Sequence, residues 1–120
     1  MLGRALERFI VGKFTTLFPG TKATNNSGAV SGNGDVIAGP WQIECKGTHR
    51  VNIQIKADDW DKARRQAWRH KREPVIIHSA RDNLTLATID LETFLELLQR
   101  SPLLSAHDEE SIPGARKGTQ

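Results

Sequence analysis

The feature of the sequence that most constrains its fold is a pair of apolar runs, residues 34–37 and 41–46, joined by a turn. The second run alternates apolar and polar residues, which is the period of a strand with one buried face. The intervening Ala38, Gly39 and Pro40 are typical of a turn, because glycine accepts a positive φ and proline cannot continue a central ladder. The pattern therefore predicts a β-hairpin.

This hairpin gathers three ionisable side chains. In its second strand Ile43 and Cys45 face the core, while Glu44 and Lys46 point together to the opposite side. Closing the hairpin brings Asp35 of the first strand beside Glu44. Two carboxylates and an ammonium then share one patch, a set suited to metal-dependent hydrolysis of a phosphodiester. We interpret Cys45 as a packing residue rather than a nucleophile.

Helices are predicted where apolar residues recur at helical spacing. We expect Asp58 or Asp59 to cap the second helix and Asp90 to cap the third. Small alanines at 63 and 67 suit close packing of the second helix against a sheet. The predicted helices cover three segments: residues 2–18, about 58–71 and about 91–98.

Further strands are predicted on both sides of the second helix. The order is helix, three strands, helix, two strands, helix, which indicates an α/β domain with a mixed sheet flanked by helices. A loop over residues 21–33, rich in Thr, Asn, Ser and Gly, is either functional or disordered and has room for a short strand at 29–30. The strands predicted beyond the hairpin are residues 51–55, 75–77 and 84–89.

Composition bounds the class of protein. Its 120 residues suit one domain, placed at residues 1–100, followed by a polar tail over 101–120 that we expect to be largely disordered. One cysteine excludes an intramolecular disulfide and fits the cytoplasm. No apolar run reaches the roughly 20 residues that span a bilayer, and the charged N-terminal pattern is not that of a signal peptide. A net charge of +3 permits a nucleic-acid partner.

Asp35, eight further residues, and then Glu44 and Lys46, behind a helix that carries Glu7, resemble the signature of the PD-(D/E)xK nuclease superfamily. Gly34 stands where that signature often has proline. The wider pattern is similar to the archaeal and phage Holliday-junction resolvases. This resemblance implies a restriction-endonuclease-like αβββαβ core with a central mixed sheet, and dependence on Mg²⁺ or Mn²⁺. It also implies a homodimer that nicks opposing strands of a four-way junction in DNA recombination and repair, in the host cytoplasm if the protein is phage-encoded.

The resemblance assigns a role to each residue of the patch. Asp35 and Glu44 take the positions of the metal ligands. Because Mg²⁺ prefers oxygen donors, we also expect the backbone carbonyl of Cys45, between the site residues, as a third ligand. Lys46 takes the position of the lysine that holds the attacking water or the phosphate. Glu7 takes the position of the helical acid that binds a second ion or orients a water. The ordinary alternative for Glu7 is a side chain that reaches solvent or pairs with a neighbouring arginine.

Expected DNA contacts surround the patch. Ser27, or less favourably Ser31, matches the loop serine of the family that approaches the phosphate backbone. Residues 56–72 carry seven lysines and arginines against three aspartates, and a solvated helix face is their ordinary explanation. The remaining candidates are basic or polar side chains close to the patch: Arg4, Arg8, Lys13, Lys22, Thr48, His49 and Arg50.

The final helix has more apolar residues than one buried face requires, which indicates a dimer interface, with a fully covered monomer helix as the alternative. Two functional rivals remain open. One is a nuclease of the same fold that acts on other branched, mismatched or single-stranded DNA. The other is a non-catalytic DNA-binding module. Fold and motif alone do not fix the DNA structure that is recognised.

Overall fold

Three helices and a five-stranded mixed sheet form over residues 1–24 and 33–101, which are the residues described by this computed structural model. The predicted α/β class is confirmed. A short 3₁₀ turn, Arg81–Asn83, joins the last two strands. The elements in chain order are α1 (Gly3–Thr15), β1 (Lys22–Ala23), β2 (Asn33–Ala38), β3 (Trp41–Gly47), α2 (Ala57–Arg69), β4 (Glu73–Ser79), β5 (Thr85–Thr88) and α3 (Leu91–Gln99).

The strands lie in the order β1-β2-β3-β4-β5. The predicted hairpin is β2–β3, and Gly39 at its turn has a φ of 56°, a conformation that glycine adopts without strain. β3 and β4 are parallel, whereas the other neighbouring strands are antiparallel. A parallel pair needs a crossover, and α2 supplies it. The sheet therefore places β3 at its centre.

The helices α1 and α2 cover opposite faces of the sheet. On the face that carries Cys45, α1 packs against β2 and β3. The backbone of Met1 lies so close to Gly47 that position 47 has no room for a Cβ atom. On the other face, the side chain of Gln66 in α2 reaches Asp35 of β2. Because side chains alternate along a strand, the polar patch of the hairpin lies under α2 and not under α1.

The core consists of the two helix faces and the central strands. The predicted close approach of α2 is confirmed, since Ala63 and Ala67 are buried. The apolar run of β4 is buried on both faces, as expected for a strand covered by two layers. The apolar core residues of the first two helices and of β2 and β3 are Leu6, Ile10, Ala63, Ala67, Val36, Ala38, Ile43 and Cys45.

Residues 51–55 do not form the predicted strand. The prediction was wrong, and the segment cannot extend the hairpin as its third strand because β3 already has β2 and β4 as its two neighbours. The segment instead connects β3 to α2, and its Val51 and Ile55 side chains are exposed. The additional strand before the crossover is β1, which pairs with the outer edge of β2.

Helix α2 begins differently from the prediction. Lys56 is its N-cap residue and makes no side-chain cap, whereas Asp58 and Asp59 lie in the first turn. There the two carboxylates still favour the positive end of the helix dipole. The short strand predicted at residues 29–30 lies outside the described residues, as does the predicted tail beyond Ser101.

The chain divides into two compact units, Met1–Thr88 and Ile89–Gln120. The first unit contains the whole sheet with α1 and α2. The second contains α3, where Asp90 is the predicted cap and its carboxylate accepts a hydrogen bond of 3.0 Å from the Glu92 N–H. Among the described residues, no helix is both long and apolar enough to span a bilayer.

Candidate active site

The hairpin brings together the two acids and the lysine singled out in the sequence. Asp35 of β2 lies directly opposite Glu44 of β3 in the antiparallel ladder, so their side chains project from the same face. The Nζ atom of Lys46 is 3.8 Å from Oε2 of Glu44. This predicted arrangement of the hairpin is confirmed, and it gathers two carboxylates and an ammonium above β2 and β3.

Burial dominates the electrostatics of the acid pair. Asp35 is only 7% exposed, and burial raises its pKa, although hydrogen bonds and the Lys46 charge oppose the rise. Burial also raises the pKa of Glu44 to about 7, with the neighbouring Asp35 charge as the next cause. Two adjacent carboxylates in a partly dry site resist double ionisation. The pair therefore retains a proton up to nearly neutral pH.

The donor set of this pair fits a hard divalent cation. Mg²⁺ is held in proteins by one or two carboxylates and keeps several waters, so it needs no large cage of side chains. Asp35 and Glu44 supply two carboxylates, and the Cys45 carbonyl follows Glu44 on the same strand. Within residues 1–24 and 33–101, no group of three or more His, Cys, Asp or Glu side chains forms a metal site. Carboxylate and carbonyl oxygens are the donors that hard cations such as Mg²⁺ and Mn²⁺ prefer.

Helix α2 adds three polar side chains whose place in the site was not predicted from the sequence. Asp59, Lys62 and Gln66 follow one another at i, i+3 and i+7, so they lie on one face of the helix. We call them the α2 stripe. That spacing is the signal in the sequence, but it does not show which face of α2 meets the sheet.

Each member of the α2 stripe acts on a different residue of the hairpin patch. The Oδ2 atom of Asp59 lies 3.9 Å from the Lys46 ammonium. Gln66 donates a hydrogen bond of 3.3 Å from Nε2 to Oδ2 of Asp35. Lys62 is exposed, and its charge lowers the pKa of Glu44 against the effect of burial. The candidate site is therefore built from a hairpin and a helix that are distant in sequence.

Glu7 approaches the sheet from the other side. It lies on α1, is half-buried, and its charge helps to raise the pKa of the Cys45 thiol. The Cys45 side chain points away from the face that carries Glu44. The described residues therefore do not bring Glu7 into one metal-binding group with Asp35 and Glu44. Its role as a catalytic or metal-binding acid stays a prediction.

Two further ionisable side chains adjoin the site. Cys45 is fully buried, and burial raises the pKa of its thiol to about 12, which suits the predicted packing role. His78 of β4 lies directly opposite Lys46 and is buried. Burial first, and then the Lys46 charge, lower the pKa of His78, so its neutral form is favoured.

The predicted DNA contacts are distributed over several elements. Arg4, Arg8 and Lys13 are exposed on α1, and Lys22 is exposed on the edge strand β1. Later in the chain, the polar candidates lie in the segment between β3 and α2, where Thr48 is half-buried and His49 and Arg50 are exposed. Ser27 and Ser31 lie outside the described residues.

The basic stretch on α2 is partly neutralised within the helix. Asp61 forms an ion pair with Arg64, and its Oδ2 lies 3.3 Å from Nη1 of Arg65. The Arg64 guanidinium also stacks over the Trp68 ring, 4.9 Å from its centroid. These contacts favour a solvated helix face for Arg64 and Arg65. Lys62 differs from them because its charge acts on Glu44 of the acid pair.

Comparisons with protein-family models, with curated proteins and with solved structures found no match. The residues of the site and their geometry are therefore what indicates a function for this chain.

Proposed function

We propose that this chain is a Mg²⁺-dependent, structure-selective DNA endonuclease that resolves four-way (Holliday) junctions by paired nicks. In this proposal its α/β core is a restriction-endonuclease-like fold of the PD-(D/E)xK type. The observation that supports it most is the direct cross-strand pairing of Asp35 and Glu44, with the Lys46 ammonium 3.8 Å from Glu44. A carboxylate pair with an adjacent ammonium is the donor set that phosphodiester hydrolysis with a divalent cation requires.

Asp35, Glu44 and the Cys45 carbonyl are the groups that would hold the ion. Bound there, Mg²⁺ or Mn²⁺ supplies positive charge that neutralises the phosphoryl oxygens and makes water a better nucleophile. The raised pKa values of Asp35 and Glu44 support this assignment, because a charge-neutralising cation removes the cost of ionising both carboxylates.

Lys46 and Lys62 have different roles toward the DNA substrate. The Lys46 ammonium lies beside Glu44, where it orients the attacking water or a phosphate oxygen and stabilises the charge that develops on it. Lys62 is exposed and its charge acts on Glu44, so in this proposal it would contact the phosphate backbone of DNA at the site. Such a contact contributes affinity and salt dependence but little sequence selectivity.

Paired incision requires two copies of the site, because two opposing strands of the four-way junction have to be cut. A closed C₂ homodimer supplies two sites related by the same symmetry. Helix α3 supports this part of the proposal, since its Leu91, Phe94, Leu95 and Leu97 side chains are 40–65% exposed. A contiguous exposed apolar face of this kind marks an interaction surface.

A cleavage assay with matched DNA structures tests the proposal. Labelled four-way junction, flap, duplex and single-stranded DNA are incubated with the protein in Mg²⁺ or in EDTA. We expect symmetric nicks in the junction only, and only in Mg²⁺. Asp35→Asn should abolish the nicks without loss of junction binding, whereas Asp58→Asn, the same change at an exposed position outside the pair, should keep them.

The other outcomes separate the rivals. Mg²⁺-dependent cutting of the flap or single-stranded DNA identifies a nuclease of the same type with another substrate. Binding in EDTA without cutting of any substrate in Mg²⁺ identifies a DNA-binding module and contradicts the nuclease proposal. The module is disfavoured because a carboxylate pair repels a polyanion and adds nothing to binding alone.

A further inference from the structure

Lys46 is held between two carboxylates that belong to different elements. Its Nζ atom is 3.8 Å from Oε2 of Glu44 on its own strand and 3.9 Å from Oδ2 of Asp59 on α2. The Lys46 side chain is 22% exposed, so these contacts are less screened by solvent than an ordinary surface ion pair. We infer that Asp59 is a positioning residue that holds Lys46 in its productive place, an inference that rests on the proposed nuclease function.

The need for a second carboxylate follows from the role of Glu44. In the proposed reaction the Glu44 charge is shared with a divalent cation, and that cation repels the Lys46 ammonium. With Glu44 as its only partner, Lys46 would then lose its anchor and turn toward solvent. Asp59 pairs with Lys46 from helix α2, independently of the strand that carries Glu44, so it keeps the ammonium over the site when Glu44 binds the cation.

Asp59 is well placed for this task because its helix is fixed on the sheet. Ala63 and Ala67, one and two turns further along α2, are buried against the strands. Side chains that orient a reacting group work best on a rigid element, since an error of about 1 Å already lowers the rate. Neighbouring Asp58 is exposed and forms no ion pair with Lys46, which makes it a matched comparison.

Substitution of Asp59 should affect junction binding and junction cleavage differently. An acid beside the path of DNA weakens binding, so Asp59→Asn should leave junction affinity in EDTA unchanged or raise it. The same substitution should lower kcat for junction cleavage by about tenfold to a hundredfold, the usual loss when an orienting partner is removed. A purely structural defect would lower both.

The experiment compares Asp59→Asn with Asp58→Asn, which removes the same charge from the same helix turn. Junction affinity is measured in EDTA, and kcat and KM are measured in Mg²⁺. We expect Asp58→Asn to keep kcat within about twofold, because it leaves Lys46 untouched. Asp59→Glu, which retains a carboxylate within reach, should recover most of the lost kcat. If Asp59→Asn does not fold, Asp59→Ser takes its place with the same expectation.

Each result decides a separate question. Equal kcat values for Asp59→Asn and Asp58→Asn, or a kcat for Asp59→Glu as low as that of Asp59→Asn, overturn the role of Asp59 and leave the nuclease function intact. A wild-type protein that cuts none of the DNA structures in Mg²⁺ overturns the proposed function, and the role of Asp59 is rejected with it.

Discussion

At the Asp35–Glu44 pair, burial and like charge oppose ionisation, whereas binding of a cation requires it. The pKa of Glu44 is raised from 4.5 to about 7. Because the pKa of Glu44 is higher in the folded state, the folded protein binds more protons than the unfolded chain between pH 4.5 and about pH 7. The contribution of Glu44 to stability is therefore complete below pH 4.5 and is lost as the pH rises through about 7.

This sign gives a prediction for the metal-free protein. In EDTA, the free energy of unfolding of the wild type should fall relative to that of Glu44→Gln between pH 5 and pH 8, by up to about 3 kcal/mol. The comparison must be with the variant, because the lowered pKa of His78 changes stability in the opposite direction. Urea unfolding at several pH values measures the difference.

Glu73→Gln is the control for this series, because Glu73 is exposed at the start of β4. It leaves the Asp35–Glu44 pair intact, so the free energy of unfolding of this variant should still fall between pH 5 and pH 8 as in the wild type. A free-energy difference between wild type and Glu44→Gln that does not change with pH would contradict the assigned electrostatics of the pair.

The residues of the hairpin could be predicted from sequence, whereas those of the α2 stripe could not. Asp35 and Glu44 are only nine positions apart, and a tight turn at Gly39 fixes which residues face each other. Asp59 and Gln66 reach the same patch from a helix whose rotation about its axis is set by packing against the whole sheet. Their spacing shows that they share a face, but not what that face meets.

At the scale of elements, α2 is held close to the sheet by small side chains, and this closeness lets the α2 stripe reach the hairpin. Ala67 is fully buried, and Gln66 beside it bonds to Asp35. A larger residue at position 67 would push the helix outward. Packing and the geometry of the site are therefore coupled through one element.

This coupling predicts the effect of Ala67→Leu. Overpacking of a full interface costs about 1–3 kcal/mol, so the free energy of unfolding should fall by that amount. Junction cleavage should fall as well, because the displaced helix withdraws Asp59 and Gln66 from the hairpin. Ala57→Leu, the same change at an exposed position at the start of α2, should affect neither. Chemical denaturation and the cleavage assay check both, and wild-type values for Ala67→Leu would contradict the close packing.

The strands show the same limit of local patterns. Residues 51–55 alternate apolar and polar side chains, as a strand does, but the neighbours of β3 are already in place. In contrast, β1 consists of only Lys22–Ala23 and has no periodic signal, yet it joins the sheet because the edge of β2 is available. Alternation indicates a preference for extended structure, but the availability of a partner strand decides whether a ladder forms.

At the scale of the whole molecule, the proposed reaction depends on two copies of the site. The unit Met1–Thr88 carries the sheet and all described residues of the candidate site, whereas the exposed apolar side chains of α3 belong to the second unit. Chemistry and pairing are thus assigned to different parts of the chain. A change in α3 should therefore separate single nicks from paired incision.

Leu95→Glu tests this separation. Leu95 lies on the apolar face of α3. A charge at this position has to be desolvated in any dimer that buries the face. We therefore expect the variant to sediment as a monomer and the wild type as a dimer. The variant should still nick junctions in Mg²⁺, but it should no longer make both opposing nicks within one binding event. A supercoiled plasmid with a cruciform reports this difference, because single nicks give open circles and paired nicks give linear product. Gln99→Glu adds the same charge at an exposed polar position of α3 and should remain dimeric. A wild type that sediments as a monomer while it makes paired cuts would contradict the assignment of α3.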